Sequence, residues 1–157
     1  MTLPHLDPTG AARMVDVSAK AVTTRTARAT GRVRLSPEAV AALRDGTAPK
    51  GDALAVARIA GIAGAKRTPE LVPLAHPVAV HAVDVRLAVE DWGVAVEAEV
   101  RTADRTGVEM EALTAVAVAG LAMIDMIKAV DRAAELTDVR VVEKTGGRRG
   151  DWRRAEG

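Results

Sequence analysis

Residues 83–101, VDVRLAVEDWGVAVEAEVR, decide the architecture. Val83, Val85, Leu87 and Val89 fall on one face and Asp84, Arg86 and Glu90 on the other. That period-two pattern is a strand with one side buried. Asp91-Trp92-Gly93 reads as a turn, after which Val94, Val96, Ala98 and Val100 face inward and Glu97, Glu99 and Arg101 outward. Two such runs around a short glycine-containing turn predict an antiparallel hairpin.

Downstream of the hairpin the period changes. A long helix is expected from about Gly107 to Asp131, and its body, Ala112 to Met123, holds one polar residue, Thr114. A short strand, Val139 to Val142, precedes a tail rich in Gly and Arg. Upstream, Arg25 to Leu35 alternates Ala27, Ala29, Gly31, Val33 and Leu35 with Arg28, Thr30, Arg32 and Arg34, a half-exposed strand. Ser36-Pro37-Glu38 supplies a hydroxyl cap and a first-turn proline, and Asp45-Gly46 ends that helix. Asp52 can cap a second helix, Ala53 to about Arg67, which is apolar nearly all round and therefore expected to be buried until Pro69 stops it. A further strand is expected near Val15 to Val17. Strands with two or three helices on one face predict an α+β layered fold of the split β-α-β type.

Composition narrows the function. With 157 residues the prior is one domain, 1–157, burying roughly 70% of the surface of its unfolded chain, with 1–13 and 146–157 as flexible ends. No apolar run is expected to reach the ~18 residues of a membrane span, and Met1 to Gly10 lacks the layout of a secretory signal. Cysteine is absent, which removes disulfides, thiolate catalysis and iron–sulfur ligation and suits a cytoplasmic protein. Lys+Arg number 22 against Asp+Glu 21, a balance that argues against electrostatic capture of nucleic acid. There is no Phe or Tyr, and only Trp92 and Trp152, so base stacking on a sheet of rings is excluded and the core must come from Ala, Val, Leu, Ile and Met. Such small side chains bury little area each, so further burial in an oligomer is expected.

The chemistry-bearing residues bracket the long helix. Glu109 and Glu111 stand at its start, Asp125 and Lys128 at its end. Thr106-x-x-Glu109 fits a capping box, and Asp125 and Lys128, three apart, fit a simple helix ion pair. Glu111 has no such explanation. Glu111 and Asp125 lie about 40° apart around the axis but about 21 Å apart along it, so one small substrate cannot touch both in one subunit. If both serve one site, two helices pack antiparallel across a two-fold axis and the site is shared; the Ala115-x-x-x-Ala119 spacing suits that contact and ordinary core packing equally. His76, between Pro73 and Pro77, sits in a stiff loop suited to ligand contact or to a backbone hydrogen bond. His81 falls on the apolar strand face, as a core residue. The three histidines make no metal motif. Lys50-Gly51 and the stretch from Lys144 to Arg149 place cations beside flexible backbone, suited to phosphate or to solvent, and Arg58, Lys66 and Arg67 could add to an anion pocket.

Taken together, Met14-Val15-Asp16-Val17-Ser18-Ala19-Lys20, Lys50-Gly51-Asp52, Ala57-Arg58-Ile59-Ala60-Gly61-Ile62, Ala65-Lys66-Arg67-Thr68, Pro73-Leu74-Ala75-His76-Pro77, the run from Thr106 to Thr114 and Asp125-Met126-Ile127-Lys128-Ala129-Val130 resemble the cyclic pyranopterin monophosphate synthase family, molybdenum cofactor biosynthesis protein C. The resemblance spans about residues 12 to 152. It implies a ferredoxin-like α+β subunit, an antiparallel sheet with helices on one face, assembled as a homohexamer of three dimers. It implies a lyase that converts 3′,8-cyclo-7,8-dihydroguanosine 5′-triphosphate to cyclic pyranopterin monophosphate and pyrophosphate, with no redox cofactor, magnesium with the triphosphate being left open.

Carried over motif by motif, Asp125 matches the family's catalytic aspartate and Lys128 its partner lysine. Lys50 joins them as a catalytic candidate. Leu74, Ala75 and His76 match one substrate-binding stretch, Met110 and Glu111 the other, with Glu109 beside them and Lys144 as a pocket lysine. Ala75 stands where many members have Cys, a change a backbone contact would survive. Two rivals remain: a non-catalytic ferredoxin-like module that binds a nucleotide at a subunit interface, and a nucleic-acid binder using the basic tail.

Overall fold

A computed structural model describes residues 4–156. Its elements run β1 (Thr23–Arg34), α1 (Pro37–Asp45), α2 (Ala53–Lys66), α3 (Thr68–Leu71), β2 (Val80–Glu90), β3 (Gly93–Asp104), α4 (Glu109–Ile127), β4 (Glu135–Thr145) and β5 (Trp152–Arg153). All strand pairs are antiparallel, in the order β2-β3-β1-β4-β5. With helices between β1 and β2 and between β3 and β4, the first four strands form a split β-α-β, ferredoxin-like sheet, and β5 is an added edge.

The alternation read from the sequence sets the layers. Ala27, Ala29, Val33, Val85, Val94, Val96, Ala98 and Val100 are buried against the helices, while Arg28, Arg32, Glu97 and Arg86 stand on the opposite face. There Arg28 bridges Glu97 and Glu143 at 3.3 and 3.0 Å. Ser36 caps α1 by accepting from the Ala39 amide, and Gly46 closes it at φ 69°, a left-handed position that costs glycine least. Asp52 caps α2 through the Ala55 amide.

With no aromatic ring in the core, close approach of backbones replaces bulk. α2 and α4 touch where a Cβ on Gly61 would lie 2.9 Å from the Ala115 carbonyl and 3.1 Å from the Ala119 Cβ. Ala115 and Ala119 are thus spent on α2 of the same chain, so of the two readings left open, ordinary core packing is the one that holds. Other expectations change too. Val15 to Val17 joins no strand. α2 is not buried all round: Val56 is 44% and Ile59 68% exposed. β4 is longer than Val139–Val142 because its flanks are polar and bulged, where alternation fails. His81 is exposed, not a core residue, because a bulge between Val80 and Ala82 breaks the alternation there. Near the two ends lie a bridge between Leu6 and Ala12 and the short strand β5. Finally, α4 is by length and composition apolar enough to cross a membrane, contrary to the run-length argument, but half of that stretch is buried inside the fold.

Candidate active site

α4 carries chemistry at both ends and apolar packing between. At its C-terminal end Asp125 accepts from Lys128 Nζ at 2.8 Å and from Lys50 Nζ at 3.0 Å. Lys50 comes from the turn before α2, which runs antiparallel to α4 and brings it alongside. The two ammonium groups, Lys128 first, hold the Asp125 carboxyl below the usual carboxylate range. The cluster is exposed and carries one more positive than negative charge.

The N-terminal end is a cleft of about 420 Å³ lined by Leu74, Ala75, His76, Thr106, Gly107, Glu109, Met110 and Glu111. Glu111 is only 3% exposed and has no cation at ion-pair distance among the described residues. Burial, with Glu109 nearby, pushes its carboxyl up to about 7, so it can hold or release a proton at neutral pH. Glu109 does not complete a capping box. The helix begins at Glu109 with Val108 at the cap position and no side-chain cap, so Glu109 stands two positions too early for a capping box. Its carboxylate instead folds over Gly107, where a Cβ would lie 2.1 Å from Oε2, and meets Lys144 Nζ at 3.9 Å. The His76 Nε2 is hydrogen-bonded to the Val15 carbonyl.

The ten candidates therefore fall into two groups. Lys50, Asp125 and Lys128 converge; Leu74, Ala75, His76, Glu109, Met110, Glu111 and Lys144 converge elsewhere. Thr106 and Gly107 also line the cleft and were marked only by lying inside the Thr106 to Thr114 motif. Val15 reaches the site through its backbone, which no side-chain pattern announces. Of the cations offered for an anion pocket, Arg58 donates to the Val85 carbonyl of the sheet edge at 3.3 Å, and Lys66 and Arg67 are exposed and line no part of the cleft. Among the described residues no three His, Asp or Glu side chains form a metal-ligating group.

α4 exposes Met110 by 42% and Leu121 by 61%, and α2 exposes Val56 and Ile59. The chain is similar over nearly its whole length to three proteins named cyclic pyranopterin monophosphate synthase. The one from Streptomyces griseus is 65% identical over 97% of this chain and 86% of its own length. The one from Streptomyces avermitilis is 65% identical over 98% and 90%, and the one from Nocardioides sp. 60% identical over 97% and 95%. The MoaC family model matches residues 14–147, a span that contains both ends of α4, the His76 loop and the Lys50 turn. Both residue groups at the ends of α4 lie inside that span, and the chain belongs to the MoaC family.

Proposed function

We propose that this chain is a cyclic pyranopterin monophosphate synthase, a lyase that rebuilds 3′,8-cyclo-7,8-dihydroguanosine 5′-triphosphate into cyclic pyranopterin monophosphate and releases pyrophosphate during molybdenum cofactor synthesis. The observation that carries this reading is 65% identity over 97% of the chain to a protein of that name. Asp125, Lys128 and Lys50 are the catalytic group. The rearrangement needs several proton transfers, and a lysine held 2.8 Å from a carboxylate is suited to them. Expelled pyrophosphate needs nearby cations, which the same cluster supplies in excess of its one carboxylate. Leu74, Ala75, His76, Glu109, Met110, Glu111 and Lys144 form the substrate-binding cleft.

The reading requires two copies. The midpoint between Glu111 and Asp125 is position 118, so a two-fold axis near the exposed Leu121 would lay the cation-rich end of one α4 against the uncompensated Glu111 of the other. The apolar stripe of Met110, Leu121, Val56 and Ile59 would be the contact between them. Three such dimers make the proposed hexamer, working in the cytoplasm with no redox cofactor. Incubating the protein with the cyclised dihydro-GTP and reading pterin fluorescence after oxidation tests this: product and equimolar pyrophosphate are expected, and binding without turnover would leave a nucleotide-binding module instead.

A further inference from the structure

We propose that the backbone carbonyl of Val15 fixes the tautomer of His76, making the segment before β1 a positioning part of the site; this rests on reading the cleft as the substrate-binding half-site. A carbonyl oxygen only accepts, so the ring nitrogen facing it, Nε2, carries the proton. In the neutral imidazole the lone pair is then on Nδ1. That nitrogen has no hydrogen-bond partner among the described residues, and His76 lines the cleft beside Glu109 and Glu111. The nitrogen left for a ligand is an acceptor, matched to an N–H or O–H of the substrate and not to its phosphates.

Both partners are held independently of each other. Pro73 and Pro77 stiffen the loop from one side. On the other, the Asp16 carboxylate accepts from the Ser18 amide at 2.9 Å, the Lys20 amide donates to the Val17 carbonyl at 3.0 Å, and Val15 and Val17 are half-buried. The contact joins residues 61 apart in the chain. An imidazole oriented by a fixed second group is the usual way a histidine is committed to one role.

Nitrogen-15 spectra of the full-length, histidine-labelled protein test the tautomer directly. His76 is expected as the Nε2–H form at pH 7.5, and Val15→Gly, which loosens the segment, is expected to give a mixture. His76→Gln keeps a donor for the carbonyl but removes Nδ1, so it should keep the thermal midpoint while raising KM for the cyclised substrate about tenfold, the cost of one hydrogen bond to a polar substrate group. An Nδ1–H ring in the unaltered protein, a tautomer indifferent to Val15→Gly, or an unchanged KM in His76→Gln would each overturn the inference. Absence of turnover in the unaltered protein would instead sink the functional reading, and the spectra would still decide the tautomer.

Discussion

The two ends of α4 handle charge in opposite ways. At the C-terminal end a carboxylate is exposed and doubly paired, with cations to spare. At the N-terminal end a carboxylate is 3% exposed with no cation against it, and its proton is held up to about 7. An exposed ion cluster contributes little to folding, since solvent screens it. A buried unpaired carboxyl opposes folding once ionised. Neither arrangement is explained by stability, and each lacks what the other has. The difference is what the proposed two-copy site needs, an end with cations to spare and an end with a carboxyl that lacks one.

The contrast breaks hardest at Lys128. Lys128→Ala or Asp125→Asn is expected to lower turnover by roughly a thousandfold with the oligomer intact on size exclusion, the scale of a lost acid–base group. Rates near the unaltered value would remove the C-terminal end from the chemistry. Mixing is the sharper instrument. Lys128→Ala and Glu111→Gln, each inactive alone, should together recover about one quarter of full turnover: half of the pairs are mixed, and one of the two sites in a mixed pair is intact. No recovery would mean each subunit works alone.

The buried carboxyl also predicts a pH effect. Its folded-state value is raised, so between about pH 4.5 and about 7 the folded chain keeps a proton that the unfolded chain releases. Stability should therefore fall as pH rises through that window, by up to about 3 kcal/mol at 1.36 kcal/mol per unit. Unfolding curves from pH 5 to 8, taken dilute enough that the chain is a single copy, should show the decline in the unaltered chain and a flatter line in Glu111→Gln; parallel lines would mean the carboxylate is compensated within one chain. Smallest is the effect on the spacer between the ends. Gly61→Ala pushes a methyl to 2.9 Å from the Ala115 carbonyl. It should cost a net ~1–2 kcal/mol by denaturant titration, the overpacking penalty less the gain in helix propensity. A more stable variant would show that α2 and α4 have slack.

Legibility followed the range of the interactions. The hairpin at Val83–Val100 and the caps at Ser36 and Asp52 are written in residues two to four apart, and they stand where periodicity puts them, whereas α4, read as about Gly107 to Asp131, runs from Glu109 to Ile127. His81 shows the limit: one bulged residue ended the alternation, and bulges leave no reliable mark in side-chain order. Thr106-x-x-Glu109 shows another, since a helix start shifted by two residues turned a cap into a side chain aimed at Lys144. The candidate residues were named from motifs, and helix rise already separated Glu109 and Glu111 from Asp125 and Lys128; that Lys50 joins the second pair, and Leu74, Ala75, His76 and Lys144 the first, was not legible.

By itself the sequence determined β1, the β2–β3 hairpin, the bodies of α1, α2 and α4, the aromatic-free core and the residue types available for chemistry, because these depend on local period and composition. Only the tertiary structure decided that Lys50 meets Asp125 across 75 residues, that His76 meets Val15 across 61, and that Ala115 and Ala119 belong to α2. Such pairings are set by how helices cross and how strands bulge, and those depend on packing of the whole chain at once.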